Sequence, residues 1–305
     1  MERRTDLALE VRESFEGDGG EIEGVSLEKE RITFGDNNQY EINVSTVVIM
    51  NEKGRQAMKK PEGSYITIET GDILDINNDD YAGVCNEVQK RIESLAGNLK
   101  GKKILVAGLG NRFITSDSLG PKVIDNLYVT GHYAREFGAD FLNKYEMIET
   151  CAIAPGVMAQ TGMESEKIIK SLSEAISPDI IIVIDALAAR SVKRVTSTIQ
   201  ITDTGINPGQ GVGNHRIGLN KESIGVKVIG IGVPTVIEAE VIVQDRIEEF
   251  MCSRGILPKD INELIHDMSE SAISNMYVTT KNIDESIERM GELIADSINN
   301  ITNPV

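Results

Sequence analysis

Residues 104–121 read I-L-V-A-G-L-G-N-R-F-I-T-S-D-S-L-G-P, from Ile104 to Pro121. Ile104 to Ala107 is a short apolar run that stops at a glycine, the mark of a strand buried on both faces. Gly108 and Gly110 let the backbone turn sharply. Thr115, Ser116 and Asp117 follow, each able to cap a helix, with Pro121 at the expected first turn. The stretch therefore predicts a strand, a polar loop and a helix. In an open α/β sheet, ligands and chemistry sit where such loops leave the carboxyl ends of the strands. Asp117 is the one acid in this loop.

The same pattern recurs downstream. Met147 onward (M-I-E-T-C-A-I-A) predicts a second strand, and Glu164 to Ile176 a helix. Asp179 to Ile184 is a continuous apolar strand ending in Asp185 and A-L-A-A-R. V-K-V-I-G-I-G-V-P is another buried strand, with a helix from Thr235 to Phe250. Strands alternating with helices predict a mostly parallel, doubly wound α/β sheet flanked by helices. Upstream, I-E-G-V-S-L, Y-E-I-N-V, T-V-V-I-M and Y-I-T-I-E-T form a strand-rich extension at about 20–75, followed by a helix from Asp79 to Leu99. R-V-T-S-T-I-Q-I-T alternates like an exposed or edge strand, and residues 1–20 read as a flexible polar tail. The core spans about 101–250. Helices follow at about 258–300, where Asn282 and Glu285 predict a capping box.

Composition narrows the function classes. The 305 residues carry 31 basic and 48 acidic side chains, a formal charge of −17. Such a chain suits neither a nucleic-acid backbone nor an anionic membrane as direct partner. No apolar run reaches the length of a membrane span, and M-E-R-R-T-D lacks the apolar centre of a signal peptide, so a cytoplasmic protein is expected. Cys85, Cys151 and Cys252 suggest neither a disulfide framework nor a zinc site. His132, His215 and His266 show no ligand spacing, and no cofactor or metal is expected.

Two acids carry the candidate chemistry. Asp117 and Asp185 are expected just beyond the ends of two parallel strands. If those strands are neighbours, the carboxylates converge, one holds a proton, and the other can activate water. Each also has an ordinary reading: Asp117 as a helix cap, Asp185 as an acid that happens to follow a strand. V-A-G-L-G-N invites a dinucleotide reading, but Phe113 stands where the third glycine belongs, and no phosphate-loop lysine follows. G-L-G-N also occurs in peptidyl-tRNA hydrolases, whose substrate an acidic chain suits poorly. The glycine-rich loop at 205–218 reads as a mobile lid or a subunit contact.

Longer strings carry a resemblance. G-L-G-N-R-F-I-T-S-D-S-L-G-P, A-P-G-V-M-A-Q-T-G-M-E, I-D-A-L-A-A-R, Q-I-T-D-T-G-I-x-P-G, G-V-P-T-V and R-T-D-L-A-x-E together resemble the spore germination proteases. Members of that family are endopeptidases that degrade small acid-soluble spore proteins. The resemblance implies an α/β fold related to hydrogenase maturation proteases, an atypical aspartic mechanism, a self-cleaving zymogen, a homotetramer, and work in the forespore and spore core. It puts the family's two essential aspartates on Asp117 and Asp185. It further implies a propeptide over residues 1–6, shorter than in Bacillus-type members, and a single peptidase domain over 7–305. Thr5-Asp6-Leu7-Ala8-Leu9-Glu10 is similar to the family's cleavage sites, which points to a cut between Asp6 and Leu7. As an extended tail, this segment could enter the site as an added strand, with Glu2, Arg3 and Arg4 holding it by charge. Arg190 is the candidate for gripping substrate acids, since a guanidinium binds a carboxylate bidentately. Two other readings stand beside this one. A nickel-sensing protease of the hydrogenase-maturation type would use His215; a non-catalytic binding module would use the N-terminal strands and the glycine loop.

Overall fold

The structure, a computed structural model, describes residues 5–15, 22–35, 40–207, 217–254 and 276–304. Its strands are β1 (Val25–Phe34), β2 (Tyr40–Ile49), β3 (Gly63–Glu69), β4 (Lys103–Gly108), β5 (Glu149–Ile153), β6 (Ile180–Ala189), β7 (Thr198–Thr202), β8 (Lys227–Glu238) and β9 (Tyr277–Val278). They join one sheet in the order β1-β2-β3-β7-β8-β6-β4-β5, with β9 added on β8. β4 pairs in parallel with β5 and β6, and β6 with β8. The other pairs are antiparallel. The α/β class is as expected, with the parallel part where the apolar runs predict it. The whole sheet is mixed, and the strand-rich N-terminal part extends it through β3 and β7.

The helices are α1 (Ala8–Glu13), α2 (Glu52–Met58), α3 (Asn78–Ala96), α4 (Leu119–Asp125), α5 (Gly131–Phe137), α6 (Ala139–Lys144), α7 (Met158–Thr161), α8 (Ser165–Ile176), α9 (Lys221–Ile224), α10 (Ala239–Ser253) and α11 (Ile283–Thr302). Helices α3, α4 and α11 cover one face of the sheet. There Val84, Val88, Leu119, Val123, Ile287 and Ile294 pack on Ile104, Val106, Ile182, Ile184, Ile199 and Ile231. Each such side chain contributes about 1.5–3 kcal/mol on leaving water. The opposite face of the parallel strands packs Leu105, Ala107, Ile181, Val183 and Val228 against Ile169 of α8 and Ile224 of α9. Cover on both faces is why these strands read as unbroken apolar runs.

Several expectations are corrected. β7 is no edge strand: it lies between β3 and β8, and all five of its residues are buried. Its isoleucines enter the main core while its polar side chains meet a second layer of protein instead of water. Residues 5–15 are no loose tail: Leu7, Ala8 and Leu9 are buried, and a helix starts at Ala8. Apolar side chains on one turn give that segment a reason to dock. β8 runs to Glu238, so the helix expected from Thr235 starts at Ala239. Y-E-I-N-V and T-V-V-I-M belong to one strand, β2. Asn282 does precede α11, but its side chain makes no capping bond. The helical stretch expected between 258 and 275 lies outside the described residues.

Candidate active site

Asp117 is set by a close approach of backbone to backbone. After β4 the chain doubles back so tightly that a Cβ on Gly108 would stand 2.2 Å from the carbonyl oxygen of Gly120. Gly110 adopts φ +109°, and its missing Cβ would lie 2.0 Å from the Asp117 carbonyl oxygen. G-L-G thus serves the return of the chain. Asp117 ends a short 3-10 turn, Thr115–Asp117. Its Oδ2 accepts the Asn111 N–H at 2.8 Å, so the loop orients its own acid. The simple capping role is not what this carboxylate does: it turns back to Asn111, while Ser118 stands at the start of α4. The turn packs against β6 and β8, and Thr235 Oγ1 donates to the Ser116 carbonyl at 2.6 Å.

Asp185 lies inside β6, not beyond its end, because the strand continues to Ala189. β4 stops at Gly108, opposite Ile184. Asp185 is therefore the first residue of β6 past its shorter neighbour, which leaves room for a carboxylate. It is 5% exposed, and its Oδ1 accepts the Ala186 N–H at 3.0 Å. Both predicted acids thus sit at the carboxyl end of the parallel strands, Asp117 on a turn that packs against the strand carrying Asp185.

A row of paired residues leads from Asp185 across the sheet. Asp185 pairs with Gly232 of β8, Gly232 with Gln200 of β7, and Gln200 with Thr67 of β3. Directly paired residues point to one face. Gly232 leaves that face low, and Leu187 bends over it, 2.4 Å from where a Cβ would be. The result is a trough lined by Leu187, Gln200, Thr202, Gly230, Gly232 and Lys60.

The N-terminal segment enters this trough. The Asp6 N–H donates to the Ala188 carbonyl at 3.0 Å, and the Ala188 N–H to Asp6 Oδ2 at 2.9 Å. Leu7 is wholly buried among Leu187, Ala189, Val195, Ile237 and Val241. The Asp6 carbonyl oxygen accepts Lys60 Nζ at 2.9 Å and Gln200 Nε2 at 3.2 Å. Gln200 Oε1 in turn accepts the Ala8 N–H at 2.7 Å. Burial pushes the Lys60 ammonium below its usual pKa, against the pull of Asp6 and Glu10. Glu10 takes the N–H groups of Arg190 and Ser191 at 2.7 and 2.9 Å, and the Arg194 guanidinium lies 3.5 Å away. Arg194 also pairs with Glu13 at 2.7 Å and Glu69 at 3.0 Å. Among the described residues the segment is non-helical only from Thr5 to Leu7 and helical from Ala8, so the added strand expected here is a single clip at Ala188.

The residues singled out in the sequence divide accordingly. Arg190 meets Glu10 through its backbone N–H, and the guanidinium that gathers acids belongs to Arg194. Lys60 and Gln200 escaped sequence reasoning; the only hint is a glutamine between two isoleucines in β7. His215 and residues 208–216 of the glycine loop lie outside the described residues, as do Glu2, Arg3 and Arg4. The His132 ring lies tilted against Tyr133, with centroids 3.9 Å apart, as part of an aromatic cluster on α5 and α6. Among the described residues, no group of three or more His, Cys, Asp or Glu is placed to hold a metal ion. Among them, too, no helix is long and apolar enough to cross a membrane.

The model of the family described as Germination protease matches residues 8–261. A Germination protease of Clostridium perfringens (strain SM101 / Type A) is 38% identical over 317 residues, covering 99% of this chain and 95% of that protein. One from Caldanaerobacter subterraneus subsp. tengcongensis is 38% identical over 316 residues, covering 99% and 94%. One from Bacillus subtilis (strain 168) is 34% identical over 348 residues, covering 97% and 92%. Among solved structures, the NiFe hydrogenase maturation protease HycI from Thermococcus kodakarensis KOD1 overlaps 69% of this chain and 99% of its own, with a TM-score of 0.34 and 16% identity. The chain, matched nearly end to end by proteases of one kind, belongs to the germination protease family.

Proposed function

We propose that this protease is an aspartic-type endopeptidase that begins the breakdown of small acid-soluble spore proteins during germination. It works in the forespore and spore core as a homotetramer. It is made as a zymogen that removes residues 1–6 by cutting between Asp6 and Leu7. Asp117 and Asp185 share the acid–base work. The ionised carboxylate takes a proton from water as the water attacks the peptide carbon, and the protonated one gives its proton to the leaving nitrogen.

The observation that carries this reading is the seating of Asp6 and Leu7 along β6, three and two residues beyond Asp185. An acid on a backbone amide, a leucine in an apolar pocket and Glu10 on two more amides follow the family's substrate pattern. Arg190 remains the proposed reader of substrate acids, with Arg194 beside it. The test is to incubate the purified full chain with a small acid-soluble spore protein and to follow both N-termini by mass. Discrete substrate fragments, and a clean Leu7 start in the wild type but not in Asp117→Asn, support the proposal. Intact substrate, or the same trimming in Asp117→Asn, overturns it.

A further inference from the structure

The peptide unit between Asp6 and Leu7 is held at both of its polar atoms. Its N–H donates to Thr5 Oγ1 at 3.1 Å. Its carbonyl oxygen accepts an ammonium from Lys60 and a side-chain amide from Gln200. A neutral buried carbonyl is satisfied by one ordinary donor. Burying an ammonium is costly, and the cost is best recovered against negative charge. Lys60 Nζ lies within the pull of the Asp6 and Glu10 carboxylates, yet its hydrogen bond goes to a main-chain carbonyl. That oxygen acquires a full negative charge at one moment only, when a nucleophile has added to its carbon.

We propose that Lys60 and Gln200 stabilise the oxyanion formed during hydrolysis of the Asp6–Leu7 bond. The assignment rests on the self-cleavage reading above and adds to it the groups that act on the carbonyl. Geometry supports it independently. Asp185, Gly232 and Gln200 are directly paired across three strands and share a face. Two strand spacings put the Asp185 and Gln200 backbones roughly 10 Å apart. Asp185 stands on one side and Gln200 on the other, with Gly232 between them. A peptide lying across Gly232 then has a carboxylate on one side and donors on the other.

The step balances within these groups. Water oxygen bonds to the Asp6 carbonyl carbon and gives its proton to the ionised aspartate. The carbonyl π pair moves onto oxygen, where Lys60 and Gln200 meet it with hydrogen bonds already in place. Collapse restores the carbonyl and breaks the carbon–nitrogen bond. The leaving nitrogen takes a proton from the protonated aspartate, giving a carboxyl group on Asp6 and an amine on Leu7. Neither Lys60 nor Gln200 gives up its proton, so both are electrophilic groups and not acids.

The rival reading is a latch: Lys60 and Gln200 merely pin the segment. Full-length Lys60→Met, Lys60→Arg and Gln200→Glu separate the two. Glutamate keeps the oxygen that accepts the Ala8 N–H and removes the donor to Asp6. The readouts are the first-order appearance of the chain beginning at Leu7, hydrogen exchange at Leu7–Leu9, and the thermal midpoint. Losing one such donor slows comparable reactions about a hundred- to a thousandfold. That loss is expected in Lys60→Met and Gln200→Glu, with exchange protection at Leu7–Leu9 retained and partial recovery in Lys60→Arg. Cleavage at the wild-type rate in Lys60→Met and Gln200→Glu overturns the oxyanion assignment and leaves self-cleavage standing. Slowing that tracks lost protection establishes the latch instead. A wild type that never yields a Leu7 start removes self-cleavage and the assignment together. If Lys60→Met does not fold, Gln200→Glu decides alone.

Discussion

The two halves of this sheet solve the same burial problem in opposite ways. In the parallel half, β4 and β6 are apolar on both faces, with helices on each. In the antiparallel half, β3 and β7 send Ile66, Ile68, Ile199 and Ile201 to the main core and Thr67, Thr198, Gln200 and Thr202 to the other side. Those polar residues are buried too, and the chain's own N-terminal segment bonds Gln200 among them. Alternation therefore marks a strand with two unlike faces, and the polar face need not see solvent. The candidate site lies along the seam: the parallel half holds Asp117 and Asp185, the antiparallel half presents Gln200, and β8 separates them with glycines.

The comparison breaks most sharply at the acids. Asp117→Asn and Asp185→Asn keep the shape of each side chain and remove its ability to exchange a proton. Each is expected to lower proteolysis by about 10²–10⁴-fold, with the folded state intact by circular dichroism. Near-normal turnover in either variant would end the assignment of the parallel half as the source of acid–base chemistry.

Next in size is the cover of the antiparallel half. Leu7→Ala leaves a hole between Leu187, Val195, Ile237 and Val241. Truncating a fully buried leucine costs about 2–5 kcal/mol, and denaturant unfolding of the uncleaved chain would measure it. A loss below about 1 kcal/mol would mean that the segment is a loose strap and that the trough's polar residues are commonly wet.

Glycine substitutions sharpen the contrast further. Gly120→Ala drives a methyl group to 2.2 Å from the Leu109 carbonyl oxygen, and backbone cannot swing aside. Overpacking of this kind costs about 1–3 kcal/mol or more, and proteolysis should fall with it as the Asp117 turn is pushed away. Gly232→Ala first meets the Leu187 side chain, at 2.4 Å, which can rotate, so its stability cost should be the smaller. Equal losses in the two variants would show that the seam is as rigid as the Asp117 turn.

The same contrast explains what the sequence disclosed. The parallel strands were legible because cover on both faces writes itself as an apolar run. The place of Asp117 was legible because glycines, a polar turn and a helix start mark the loop that carries it. The boundary at Asp185 misled, since an acid in an apolar run reads as an ending; β4 stops one residue earlier, and β6 can carry the charge onward. Long strings such as I-D-A-L-A-A-R made the family visible. Lys60 carried no local sign, and Gln200 only its place between two isoleucines. Gln200 and the Asp6 carbonyl it meets are 194 residues apart in the chain, and pairing at that distance leaves no periodicity to read.

The smallest expected effect tests the polar face itself. Thr198 and Gln200 are neighbours on the same face of β7, and both are buried. Gln200 bonds Asp6 and Ala8, whereas the Thr198 hydroxyl has no hydrogen-bond partner among the described residues. Thr198→Val keeps the branched shape that suits a strand and removes a hydroxyl whose burial is uncompensated. Leaving such a group unpaired costs about 1–3 kcal/mol, so the variant should unfold at the same or a slightly higher denaturant concentration, with its self-cleavage rate unchanged. Gln200→Leu, one position along that face, should lose both stability and self-cleavage. The two residues share strand, face and burial, and differ in whether the N-terminal segment uses them. If Thr198→Val instead loses more than about 1 kcal/mol, its hydroxyl has a partner in solution, and the face beneath the segment holds ordered water.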